Sequence, residues 1–161
     1  MQDQSFTEWA EQHLNSALEE ATSPGDFIAI LGGSGTGKTT FANKAARDLG
    51  GVVIDCLQPT WRAELTAARN RNVPLVFFDE AAAPDPDGAD LRRAVKQLTH
   101  AAVRVVLLVN RNSWHRPEDL LTPFVTEGVE PARAIIVDFD GGVSLLQRDM
   151  SRLDAPAGMA H

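Results

Sequence analysis

The chain has 161 residues, 15 of them basic and 22 acidic for a net charge of −7, and 43% belong to the hydrophobic set. That length suits one domain with one sizeable core, and the composition excludes a wholly disordered chain. No run of about 18 apolar residues offers a membrane-spanning helix, the N-terminus does not read as a secretory signal, and the single cysteine, Cys56, excludes an internal disulfide and a cysteine-rich zinc site, so a cytoplasmic protein with no membrane partner is expected.

Ser5-x-x-Glu8 has the form of a capping box. Phe6, Trp9, Ala10, Leu14, Ala17, Leu18 and Ala21 recur at helical spacing, which predicts an amphipathic helix over 6–21, ended by Ser23-Pro24-Gly25-Asp26. Phe27 to Leu31 is all apolar, the pattern of a strand buried on both faces. A glycine-rich loop then leads into a helix over 38–49, stopped at Gly50-Gly51. Val52-Val53-Ile54 predicts a second strand, 61–70 a helix, and Leu75-Val76-Phe77-Phe78 a third strand entered through Pro74. Pro84 to Gly88 is a loop, after which Leu91, Ala94, Val95, Leu98 and Ala102 mark one face of a helix. Val103 to Val109 predicts a fourth strand, Pro117 opens a short helix, and Ala134 to Val137 is a fifth strand. Asp140-Gly141-Gly142 turns into Val143 to Leu146 as a terminal hairpin, and Asp154 to His161 reads as a tail. The alternation predicts a single α/β domain over 1–161: an N-terminal helix within 1–24, then a core over 26–150 with a mainly parallel five-stranded sheet and helices on both faces.

The loop Gly32-Gly33-Ser34-Gly35-Thr36-Gly37-Lys38-Thr39 fits G-x-x-x-x-G-K-[ST], set between a buried strand and a helix. Glycines let backbone N–H groups turn inward around phosphate oxygens, and the helix that follows points its positive end at the same anion. Lys38 reaches the β- and γ-phosphates, and the Thr39 hydroxyl can ligate Mg²⁺. Residues 32–40, Thr40 included, are therefore the expected nucleotide cradle of a P-loop NTPase. Asp79 and Glu80 follow an apolar strand at its carboxyl end, where α/β sheets bind ligands. Asp79 is expected to take a hydrogen bond from Thr39 or from Mg²⁺-bound water, and Glu80 to polarise the attacking water. No guanine-reading N-K-x-D motif is present, which favours ATP over GTP.

This pair resembles Walker A and Walker B of the ASCE division of P-loop ATPases, over roughly residues 26–140. The resemblance implies a three-layer fold with sheet order 5-1-4-3-2 and a polar sensor at the end of the fourth strand, where Asn110 falls. It also implies an arginine finger supplied to a neighbouring subunit, for which Arg111, Arg116 and Arg133 are candidates. Asn110-Arg111-Asn112 with Arg116-Pro117-Glu118-Asp119-Leu120 resembles the sensor-one region of AAA+ ATPases, though without their helical lid. The compact core is similar to DNA-pumping ATPases of the FtsK-HerA type, including viral genome-packaging ATPases, which implies a homo-oligomeric ring acting on DNA, in the host cytoplasm if the protein is viral.

Charge along the chain leaves room for such a partner. Residues 60–116 hold nine basic residues against six acids, and Arg62, Arg69, Arg71, Arg92, Arg93 and Lys96 could contact phosphates or simply coat two solvated helices. A small-molecule kinase stays open, because the loop is also similar to that of uridine-kinase-like enzymes. Asp55 would then serve as base, with Trp61 and Arg62 holding the acceptor. A slow nucleotide-dependent switch is the third reading. Cys56 reads as a packed thiol, and His13, His100, His115 and His161 show no metal-site spacing.

Overall fold

The computed structural model describes residues 6–21, 26–32, 37–81, 87–110, 133–138, 142–147 and 152–154. Its elements are α1 (Phe6–Glu20), β1 (Phe27–Gly32), α2 (Lys38–Leu49), β2 (Val52–Asp55), α3 (Trp61–Asn70), β3 (Leu75–Asp79), α4 (Asp87–His100), β4 (Arg104–Asn110), β5 (Arg133–Asp138), β6 (Gly142–Gln147) and β7 (Arg152–Asp154). The Ser5 cap, the loop before α4, the helix expected after Pro117 and residues 155–161 lie outside the described residues.

The strands form one sheet in the order β2-β3-β4-β1-β5-β6-β7. β2, β3, β4, β1 and β5 pair in parallel, and β6 and β7 add on antiparallel. Seven strands therefore replace the expected five. The short link after β5 can only fold the chain back antiparallel, which makes the expected hairpin, and the three residues of β7 then pair with β6 where a tail was expected from Asp154.

Alternate residues of each strand feed two separate cores. Ile28, Ile30, Leu75, Phe77, Val106 and Leu108 pack with Leu14, Phe41, Ala42 and Ala45 of α1 and α2. Phe27, Ala29, Val76, Phe78, Val105 and Leu107 pack with Trp61, Leu65, Leu91, Val95 and Leu98 of α3 and α4. The domain is thus an α/β sandwich with helices on both faces. Chain direction explains the split. From β1 the crossover through α2 jumps outward to β2, whereas β2, β3 and β4 step back toward β1. Right-handed crossovers that travel in opposite directions place their helices on opposite faces. In open α/β sheets ligands bind beyond the carboxyl ends of the strands, where the chain direction reverses.

Candidate functional site

The carboxyl ends of β1, β3 and β4 stand together at one edge of the sheet. Gly32 is in register with Asn110, and Asp55 with Asp79. Side-chain parity then sets the face. Asp79 follows Leu75 and Phe77 by two-residue steps, so it points toward the α1–α2 layer, where α2 begins. There the Thr39 hydroxyl donates to Asp79 Oδ2 at 2.6 Å. Two residues 40 positions apart in sequence meet because one opens the helix after β1 and the other closes β3. Asp79 is only 7% exposed, so its carboxylate needs such partners.

The second Asp79 oxygen, Oδ1, accepts the Glu80 N–H at 3.0 Å. Glu80 itself is exposed and has φ of +54°, a left-handed conformation that is unfavourable for a glutamate. Backbone bonds on either side hold it there: Cys56 N–H donates to Asp79 O at 3.0 Å, and Ala81 N–H donates to Leu108 O at 3.1 Å. The chain is fastened to β2 before Glu80 and to β4 after it. Strain held in place by neighbours at a sheet's ligand edge is a feature of functional sites.

Gly37 caps α2 at φ +102°, a conformation open to glycine, and its carbonyl accepts the first helical bond, from Phe41 N–H, at 2.9 Å. No acid occupies the first turn of α2, so the carboxylate that meets its positive end comes from Asp79 on β3. Lys38 lies in that turn. Partial burial lowers its ammonium below the usual lysine range, with the nearby Glu80 and Asp79 carboxylates working the other way. A partly buried cation thus stands beside two carboxylates at the N-terminus of α2.

The structure thus brings Gly32, Gly37, Lys38, Thr39, Thr40, Asp79, Glu80 and, by backbone position, Asn110 to one edge. Gly33, Ser34, Gly35, Thr36, Arg111 and Arg116 lie outside the described residues. Arg133 opens β5 one position before the Phe27–Ala134 pair, at the amino end of the parallel strands and so at the opposite end from Asp79. Trp61 is 2% exposed and stands edge-on to Phe78, with ring centroids 6.4 Å apart. It is a core residue and not the acceptor clamp of the kinase reading. Its apolar neighbours at helical spacing, Leu65 and Ala68, already carried that signal. Asp90 was missed, although it anchors two of the basic residues singled out above. The i, i+3 spacing of Asp90 and Arg93 is the sequence signal for half of that cluster.

Among the described residues no group of three His, Cys, Asp or Glu side chains could hold a metal ion, and no helix is long and apolar enough to cross a membrane. No protein-family model matches the chain, and no curated protein matches it significantly.

Proposed function

We propose that this chain is a P-loop ATPase that binds ATP with Mg²⁺ at residues 32–40 and Asp79, hydrolyses it with Glu80 as base, and uses the turnover for mechanical work on nucleic acid in a homo-oligomeric ring. The observation that carries the reading is the 2.6 Å bond from the Thr39 hydroxyl to Asp79. A phosphate-loop threonine and a strand-end aspartate meet at the N-terminus of the helix that would face the phosphates. The insertion of β4 between β1 and β3 supports the same reading, since it is the order that the ASCE resemblance implies.

The oxygen donors of Thr39 and Asp79 suit a hard divalent cation that keeps phosphate and water as its other ligands, and such a site needs no cage of three carboxylates. Mg²⁺ held by these two residues would neutralise charge on the β- and γ-phosphates. The Lys38 ammonium lies against the same oxygens and offsets the charge that builds as the γ-phosphoryl group leaves. Glu80 takes a proton from the attacking water as its oxygen bonds to γ-phosphorus and the bond to the bridging oxygen breaks. Asn110, at the end of β4, is the γ-phosphate sensor. An arginine from a neighbouring subunit, drawn from Arg111, Arg116 and Arg133, is the finger.

ATP hydrolysis measured against protein concentration, with and without duplex DNA and with no small acceptor, tests the proposal. A rate per subunit that climbs with concentration and with DNA is expected. A negligible rate that rises only on adding a nucleoside acceptor would establish the kinase reading, in which Asp55, in register beside Asp79, is the base.

A further inference from the structure

The charge of the molecule is divided between its two helical layers. In one layer α1 carries Glu8, Glu11, Glu19 and Glu20 and no Lys or Arg, and α2 carries Lys38, Lys44 and Arg47 against Asp48, five acids against three basic residues. α3, Arg71 at its end and α4 carry Arg62, Arg69, Arg71, Arg92, Arg93 and Lys96 against Glu64, Asp87 and Asp90. Arg62, Arg69, Arg71, Arg93 and Lys96 are all exposed.

Bonds across the two helices fix where the arginines stand. Arg62 Nε and Nη2 both donate to Asp90 Oδ2, at 2.9 and 2.7 Å, and Arg93 Nη1 donates to Asp90 Oδ1 at 3.0 Å. Further along, Arg69 Nη1 donates to Gln97 Oε1 at 3.2 Å. Arg62 and Arg69 are as far apart on α3 as Asp90 and Gln97 are on α4, so the helices run side by side and the two bridges stand about 10 Å apart along the seam. The Arg62 guanidinium also lies over the Trp61 ring, 4.7 Å from its centroid, which fixes its plane.

We propose that this seam binds the phosphodiester backbone of nucleic acid. This deepens the functional reading above by naming the surface, and it rests on that reading only for the coupling of binding to hydrolysis. Planar guanidinium forks match phosphate oxygens bidentately, and about 10 Å corresponds to roughly three phosphates along one strand of a duplex. A second copy of this chain is the other occupant that charge would allow, but a protein interface needs an apolar centre. The exposed large hydrophobic residues among those described are Leu49 and Leu57, neither of them on α3 or α4. Asp90 holds the two guanidiniums in place and occupies the position that a phosphate would take.

Fluorescence anisotropy of a labelled duplex of arbitrary sequence, with the full chain and no nucleotide or Mg²⁺, tests the seam. Neutralising about three phosphates predicts an affinity that falls on the order of 40-fold between 50 and 200 mM salt. Arg69→Glu with Lys96→Glu is expected to weaken binding by about tenfold or more at unchanged Tm. Asp90→Asn, which removes the competing carboxylate, is expected to tighten it several-fold. Lys44→Glu with Arg47→Glu, on the α2 layer, is expected to leave it unchanged. Absence of binding at 50 mM salt, or equal losses from the two reversals, would overturn the proposal. So would an α3–α4 reversal that alters the oligomeric state and spares DNA binding. Because nucleotide is absent throughout, an inactive ATPase assay and a failed seam are separate results.

Discussion

Asp79 uses both of its oxygens, and the two bonds have different consequences. Oδ2 secures the Thr39 hydroxyl and Oδ1 holds the Glu80 N–H. On the proposed reading Lys38→Ala removes the cation that would face the phosphates, so loss of ATP binding by isothermal titration is expected at unchanged fold. Glu80→Gln keeps the shape and loses the proposed base. It should retain bound ATP and reduce turnover by about a hundredfold or more, and a variant that hydrolyses at the wild-type rate refutes the assignment. The backbone of Glu80 makes a separate prediction. Asparagine tolerates φ of +54° better than glutamate does, so Glu80→Asn should stabilise the domain by up to about 1 kcal/mol in urea unfolding while turnover is lost. Stability and activity moving in opposite directions at one residue would identify strain retained for function. Nothing in the sequence signals that strain. It arises because the chain is bonded to β2 on one side of Glu80 and to β4 on the other.

The elements themselves were written in local patterns. The spacing of apolar residues located the four described helices and the parallel strands to within a few residues, because burial against a sheet imposes a period that the sequence must carry. Gly50-Gly51 read as a helix stop, and the structure gives its two glycines different reasons. Gly50 caps α2 at φ +75°. A Cβ on Gly51 would stand 2.6 Å from the Leu75 carbonyl oxygen, a backbone atom that cannot move aside. Gly51→Ala should therefore destabilise by about 1–3 kcal/mol in denaturant unfolding. Phe77, fully buried and edge-on to Phe41 with centroids 6.1 Å apart, is a larger loss. Phe77→Ala should cost about 3–5 kcal/mol, measured the same way.

At the scale of the whole molecule, charge ties elements together at the surface. Two hydrogen bonds from the Arg62 guanidinium hold the Asp90 carboxyl below its ordinary value of 3.8, and the Arg62 and Arg93 charges act in the same direction. A carboxyl lowered on folding contributes stability above its unfolded value and loses that contribution as pH falls through the lower folded one. The Tm difference between wild type and Asp90→Asn should therefore be constant near neutrality and vanish in strong acid. On the other layer Lys44 bonds Glu11 of α1 at 2.6 Å and Asp48 at 3.4 Å. The Glu11 bond, the larger cause, and the Asp48 bond raise its ammonium above the usual 10.5. The stability it contributes is complete below that value and is lost as pH rises through the raised one.

The glycine-rich motif, the strand-end acids and the α/β alternation were legible in the sequence alone, because each is a run of adjacent residues. Only the tertiary structure decided that Thr39 reaches Asp79, that Arg133 stands at the opposite end of the parallel strands from Asp79, that Trp61 is buried, and that Asp90 gathers two arginines between α3 and α4. Those facts depend on the order in which strands lie side by side and on which face each side chain points from. Crossover direction and packing fix that order across the whole sheet, and no short stretch of sequence contains it.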